Sequence, residues 1–157
     1  GYSSEKEHTF SQEMHLVDCY LTIIQIRYGN RIVISKDIDD DILNTPMPGL
    51  ILQPIAENSI IHGIIPSGRK CELKITAHRS GDDLVIRIRD NGAGMEKEKA
   101  DRLNRSFIIE KTSTEKSIGL INVNKRLKLL YGDEYHLKIS SAINEFTEVE
   151  IKIGGKR

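Results

Sequence analysis

Leu84-Val85-Ile86-Arg87-Ile88-Arg89-Asp90-Asn91-Gly92-Ala93-Gly94-Met95 runs an alternating strand into a glycine-rich turn. Leu84, Ile86 and Ile88 alternate with more polar neighbours, the period of a half-buried β-strand. On that alternation Asp90 shares the apolar face. A carboxylate aimed into a core is costly unless something there hydrogen-bonds to it. Gly92 and Gly94, two and four residues later, let the backbone approach a bulky object. The stretch therefore predicts one wall of a ligand pocket at the end of a strand.

Working backward, Cys71, Leu73, Ile75 and Ala77 alternate with Glu72, Lys74, Thr76 and His78, and Gly81-Asp82-Asp83 turns this strand into the next as a hairpin. Arg31 to Ser35 is a short strand candidate, followed by an acidic turn over 37–41. Before it, roughly 6–28 read as a helix. Phe10, Met14, Val17, Leu21, Ile24 and Tyr28 are spaced four, three, four, three and four apart. That stripe suits either a helix lying on its own domain or the tail of a longer helix leading to a dimerising region. Gly29-Asn30 ends it with C-cap chemistry. Residues 50–62 read as a second helix, with Pro54 tolerated only in its first turn, and 63–68 as a loop.

Working forward, 96–106 is polar with helical propensity, and 108–116 lacks a period and reads as a mobile loop. Residues 119–131 form another helix, with Leu120, Val123, Leu127 and Leu130 on one stripe. Two strands close the chain, one carrying Leu137 and Ile139, the other Val149, Ile151 and Ile153. The order predicts an α+β fold, helices layered on one face of a mixed sheet.

The 157 residues suit one domain. Lys+Arg and Asp+Glu both total 23, so a basic nucleic-acid-binding face is not indicated. Cys19 and Cys71 have no metal spacing and read as buried reduced thiols. No apolar run reaches the ~18 residues of a membrane helix.

Three further sites accompany Asp90. Ile51, Ile55, Asn58 and His62 recur four, three and four apart on one helix face. An amide and an imidazole thus fall where that stripe meets the core, and an Asn carbonyl suits Mg²⁺ beside waters and phosphate oxygens. Ser117-Ile118-Gly119-Leu120 opens a helix whose N–H groups suit phosphate. Thr147 alternates with Val149, so its hydroxyl faces the core as Asp90 does. A core Asn, an N-cap Ser and a core Thr are each ordinary alone. Together they outline a site in which the acid accepts from an exocyclic amine, selecting adenine over guanine at that edge.

The chain resembles the LytS-type sensor histidine kinases over nearly its whole length. Leu52-Gln53-Pro54-Ile55-Ala56-Glu57-Asn58-Ser59-Ile60-Ile61-His62-Gly63 is similar to their N box, Asp90 to Met95 to their G1 box, and Ser117 to Leu127 to their G2 box. Residues 20–31 are similar to the run-in to their ATP-binding domain. The resemblance implies a Bergerat-type fold, a two-layer α/β sandwich with a mostly antiparallel mixed sheet and a flexible ATP lid over about 96–118. Residues 1–30 would be a helix continuing a linker, and 31–157 the ATP-binding catalytic domain. Asn58 would coordinate Mg²⁺ and Asp90 would bind the adenine amine. Gly92, Gly94 and Met95 would line the base and the foot of the lid. Gly119 and Leu120, with Asn122 beside them, would meet the phosphates, and His62 and Thr147 match nucleotide-contacting positions. Glu57 is a candidate for orienting the attacking imidazole, against an ordinary helix-face acid.

Two departures stand out: the first glycine of the usual Gly-x-Gly is Ser117, and the Gly-Thr of the last strand is Phe146-Thr147. The family's phosphoacceptor motif is missing, and His8, His15, His78 and His136 lack its context. The chain thus reads as an excised catalytic domain. It would bind ATP and Mg²⁺ and transfer the γ-phosphoryl group to a histidine on its own upstream dimerisation and phosphoacceptor domain. The full-length protein would be a homodimer serving a response regulator. This cytoplasmic domain of a membrane-anchored protein would touch neither membrane nor nucleic acid. The alternatives are a gyrase- or Hsp90-like ATPase switch and a non-catalytic nucleotide-sensing module. The water-activating Glu of the ATPases falls one turn before the metal-binding Asn, where this chain has Pro54.

Overall fold

The computed structural model describes residues 7–109 and 118–155. It is a five-stranded sheet in the order β1-β2-β3-β5-β4, with helices on one face. The strands are β1 (Ile32–Ile38), β2 (Cys71–Ser80), β3 (Asp83–Asp90), β4 (Lys138–Ala142) and β5 (Phe146–Ile153). β1 pairs parallel with β2 and every other pairing is antiparallel. The mixed α+β sandwich is the architecture that the alternation of polar and apolar residues predicts. β1 continues past Ser35 to Ile38, because its register on β2 carries it through Asp37 to Ala77.

The β2–β3 hairpin closes through Gly81-Asp82, with Gly81 at φ +60°, as a two-residue hairpin loop demands. Leu73, Ile75 and Ala77 of β2, Leu84, Ile86 and Ile88 of β3, and Val149, Ile151 and Ile153 of β5 form the sheet side of the core. On the opposite face Arg87 pairs with Glu150 at 3.4 Å and Arg89 with Glu148 at 3.7 Å.

Helix α1 (Phe10–Tyr28) starts at a capping box in which Thr9 and Gln12 satisfy each other's backbone N–H. Phe10, Met14, Val17 and Leu21 are buried, and Ile24 and Tyr28 pack half-buried behind them. The structure lays that stripe on the domain's own core. The start of α1 is stitched to the 43–47 segment through Phe10 N–H to Thr45 O (2.8 Å) and Ser11 N–H to Leu43 O (2.9 Å). Cys71 is buried as expected, but Cys19 is exposed on the outer side of α1, near exposed Ile23 and Ile26. That helix is apolar on two sides, and its periodicity alone does not say which side is inside.

Helix α2 (Leu52–Asn58) passes directly into a π-helical segment over Ser59–Ile64 and a last α turn, α3 (Ile65–Ser67), which stops at Gly68 with φ +69°. The loop expected over 63–68 is therefore helical as far as Ser67. Pro54 sits in the first turn, where its missing N–H costs nothing.

Helix α4 (Lys97–Ile109) carries the polar segment and buries Ala100 and Phe107. Ser117 and 110–117 of the expected lid lie outside the described residues. Helix α5 (Ile118–Tyr131) buries Leu120, Val123 and Leu127, whereas Leu130 at the frayed end of the stripe is 54% exposed. Among the described residues no helix is long and apolar enough to cross a membrane.

Candidate nucleotide site

Asp90 is the last residue of β3 and is 1% exposed. Its Oδ1 accepts the backbone N–H of Gly92 at 2.9 Å, while its Oδ2 is buried with no hydrogen-bond partner among the described residues. Burial pushes its pKa up from the ordinary 3.8 to about 6. The Gly92 N–H, the Ser59 hydroxyl and the guanidinium groups of Arg69 and Arg89 pull weakly the other way. A buried carboxylate oxygen without a donor fits a ligand that brings one.

The glycines around Asp90 admit backbone. A β-carbon on Gly92 would lie 2.3 Å from Gly63 O, and one on Gly63 would lie 2.5 Å from Asp90 Oδ1. Ala93 N–H donates to that same Gly63 carbonyl at 2.8 Å, locking the turn after β3 onto the π-helical segment. Gly94 has φ +64°, and a β-carbon there would lie 2.0 Å from Ala142 O at the end of β4. Arg69 ties the two turns together, donating to Gly92 O at 3.0 Å and Asn144 O at 3.2 Å.

Thr147 is the register partner of Asp90 across β3 and β5 and is 5% exposed. Its Oγ1 lies 2.7 Å from Ser141 Oγ. Ser141 in turn donates to Phe146 O at 2.7 Å and accepts Met95 N–H at 2.9 Å. Phe146 projects from the other face of β5, where the Arg89 guanidinium stacks 4.0 Å from its ring centroid. The substitution at Phe146 thus leaves the Asp90 corner to Thr147.

Asn58 ends α2 and is half-buried; Glu57 beside it accepts from Gln53 Nε2 at 3.0 Å. His62 is exposed rather than facing the core with Asn58. The buried side runs through Leu52, Ile55, Ala56, Ser59 and Gly63, a stripe offset around the helix from the one that ends at His62, and the wider π-helical turn keeps Ile60 and Ile64 on it. Gly119 is exposed at the first turn of α5, where among the described residues a β-carbon would touch only Pro54 Cβ at 3.9 Å. The start of α5 therefore abuts the first turn of α2. Leu120 is buried behind it and Asn122 is exposed. Among the described residues no cluster of three His, Cys, Asp or Glu side chains could hold a metal. Asn58 would have to share an ion with phosphate oxygens and water.

Sequence reasoning passed over four residues that build this corner. Ser59 and Gly63 follow Leu52, Ile55 and Ala56 at helical spacing on the buried stripe, a signal that a reading along Ile51, Ile55, Asn58 and His62 passes over. Ser141 alternates with Ile139, which was a usable signal. Glu13 stands three residues after Phe10 on the inward stripe; it is fully buried and accepts the N–H groups of Leu50, Ile51 and Leu52 at 2.8 Å each. It thereby caps the helix that carries Asn58. An open groove of about 940 Å³ between Met47, Arg79, Leu84, Tyr131 and Ile153 lies at the opposite end of β3 and holds none of the candidate residues.

Residues 46–156 match the family model described as histidine kinase-, DNA gyrase B-, and HSP90-like ATPase. The chain is 34% identical over 145 residues to the sensor histidine kinase YesM of Bacillus subtilis (strain 168), covering 92% of this chain and 23% of that protein. It is 30% identical over 153 residues to the sensor histidine kinase YpdA of Escherichia coli (strain K12), covering 98% and 26%. It is 31% identical over 145 residues to the sensor protein LytS of Bacillus anthracis, covering 92% and 24%. The chain thus spans about a quarter of the length of these relatives. Its fold is similar to the catalytic domain of histidine kinase ThkA, with a TM-score of 0.64 at 17% identity over 94% of both chains. It is equally similar to the histidine kinase domain of a blue-light activated kinase from Erythrobacter litoralis EL346, with a TM-score of 0.64 at 18% identity over 96% and 63%. A match over most of the chain, relatives that are sensor histidine kinases, and a shared fold together mean that the chain belongs to the histidine kinase-, DNA gyrase B- and HSP90-like ATPase family.

Proposed function

We propose that this domain binds Mg-ATP at the Asp90 corner and presents the γ-phosphate to a histidine on a separate domain of the full-length kinase. The observation that carries this reading is the Oδ2 of Asp90, buried opposite Thr147 and without a hydrogen-bond partner among the described residues. The adenine amine would donate to it. Asn58 would hold Mg²⁺ with the phosphate oxygens, and the N–H groups of Gly119 and Leu120 would receive the phosphates. Met95 and the turn carrying Gly92 and Gly94 would border the base. Glu57, next to Asn58 and steadied by Gln53, is the candidate to orient the incoming imidazole. His62 and Asn122, both exposed, would reach the ligand only from the rim.

Phosphoryl transfer is mostly positioning and charge stabilisation, so little covalent chemistry is asked of the domain. Pro54, one turn before Asn58, has no group to activate water, which favours transfer over hydrolysis. The acceptor would come from a dimerisation domain of the same protein, in a homodimer that passes the phosphoryl group to a response regulator. The domain would work on the cytoplasmic side of a membrane-anchored protein.

Titration with Mg-ATP, using Asp90→Asn as the control, tests the site. The expected result is binding by the wild type and a loss of at least tenfold in the variant; equal affinities overturn the adenine assignment. The full-length protein incubated with γ-labelled ATP tests the reaction. Acid-labile, base-stable label on histidine is expected, and label released only as inorganic phosphate would favour the ATPase-switch reading.

A further inference from the structure

Ser141 is saturated. A serine hydroxyl has one proton and two acceptor lone pairs. Its proton is committed to Phe146 O at 2.7 Å and one lone pair to Met95 N–H at 2.9 Å. The 2.7 Å contact with Thr147 Oγ1 must therefore run from Thr147 to Ser141. Thr147 has spent its only proton, and everything else that meets its oxygen meets an acceptor. Directly across the β3–β5 register stands Asp90, whose ionised carboxylate is also acceptor-only. Thr147 cannot donate to it, in keeping with the empty Oδ2.

We propose that Ser141 is a specificity-positioning residue: by consuming the Thr147 proton it leaves Thr147 Oγ1 an acceptor beside the acceptor Asp90 Oδ2, so that these two atoms together select an amine over a keto oxygen at position 6 of a bound purine. The inference rests on the nucleotide reading of the Asp90 corner and deepens it. An amine brings two hydrogens for two acceptors, Asp90 Oδ2 and Thr147 Oγ1. A keto oxygen meets lone pairs on both, and a site whose buried polar groups are left unmatched rejects the wrong ligand strongly. Without the Ser141 hydroxyl, Thr147 could turn its proton toward a keto oxygen. The proposed discrimination thus lies with a residue outside the three boxes that suggested the site.

The test is the ratio of dissociation constants for inosine triphosphate and ATP, each with Mg²⁺. The proteins compared are the wild type, Ser141→Ala, Thr147→Val and the double variant. The expected result is a ratio lowered by about tenfold in Ser141→Ala, the size of one hydrogen-bonding mismatch, and no further change when Ser141→Ala is added to Thr147→Val. Ser141→Thr keeps the hydroxyl and should keep the wild-type ratio. Ser141→Cys, whose thiol is a poor acceptor, should move it in the alanine direction and carries the test if the alanine protein does not fold. ATP binding with an unmoved ratio overturns the inference alone. So does a shift that persists in the Thr147→Val background, since Ser141 would then act through Met95 or Phe146. A wild type that binds neither nucleotide overturns the nucleotide reading, and this inference with it.

Discussion

Gly63 packs so tightly on Asp90 that a β-carbon at position 63 would lie 2.5 Å from the carboxylate oxygen Oδ1 and 2.8 Å from Cγ. The contact belongs to the π-helical segment, and the same glycine's carbonyl receives the Ala93 N–H. Gly63→Ala should push the Asp90 side chain off the Gly92 N–H and cost about 1–3 kcal/mol, as small-to-large changes in packed interiors do. Nucleotide affinity should fall with it. Chemical denaturation and Mg-ATP titration of the same protein would check both; an alanine variant with wild-type stability would mean that the contact relaxes freely.

Asp90 trades stability for its site. Its proton is held to about pH 6 instead of the ordinary 3.8, with burial the main cause. Between those values the folded protein binds the proton more than the unfolded chain does. Stability from this group therefore falls as pH rises from about 4 to 6, and the deficit of about 3 kcal/mol is complete above pH 6. Asp90→Asn removes that deficit but leaves the two N–H donors of its amide to be placed. We expect it to be about 1–2 kcal/mol more stable than the wild type at pH 7 and no more stable at pH 4. Denaturant midpoints across pH 4–8 would read this out, and parallel pH profiles for the two proteins would refute it.

Most of the sheet was legible because alternation is a period-2 signal that survives without tertiary information: β2, β3 and β5 were all visible, and Asp90 and Thr147 fell on the correct face. The helix layer was less so. The stripe reading puts Asn58 near its end, and in the structure Asn58 ends α2 and is half-buried. The next turn is π-helical, however, and it carries Gly63 packed against Gly92, a contact between segments 29 residues apart. Following the stripe along Ile51, Ile55, Asn58 and His62 puts His62 inside and misses Ser59, which lies on the neighbouring stripe through Leu52 and Ala56. Glu13 was hidden for a different reason. An acid on an apolar stripe signals a buried partner, but its partners are backbone N–H groups on another helix, which carry no sequence signature.

Gly119 offers a variant that separates ligand binding from folding. It is exposed, and among the described residues its β-carbon would meet only Pro54 Cβ at 3.9 Å, an ordinary contact. Gly119→Ala should leave stability within about 0.5 kcal/mol of the wild type, as substitutions away from packed features do. If phosphates approach the first turn of α5, the added methyl group should reduce affinity for ATP more than for adenosine. Equal losses for the two ligands, or none for either, would place the phosphates elsewhere.

Glu13 should behave as a structural keystone for α2 even though it lies on α1. Its Oε2 accepts Ile51 and Leu52 N–H, and its Oε1 accepts Leu50 N–H at 2.8 Å and lies 2.9 Å from His8 Nε2. Glu13→Ala strands three N–H groups of a buried helix start, and the expected cost is roughly 3–5 kcal/mol, since each buried donor left without a partner loses about 1–3 kcal/mol less any rescue by water. Glu13→Gln keeps the shape but can turn only one oxygen toward three donors, so it should lose about 1–2 kcal/mol. Amide exchange at Leu50, Ile51 and Leu52 should speed up in both variants, more in alanine, while the β3 amides keep their protection in the glutamine protein. Asn58 lies under two turns beyond this cap, so the glutamine variant should also weaken the dependence of ATP affinity on Mg²⁺. Unchanged exchange at those three amides in Glu13→Gln would show that the cap does not hold the helix start.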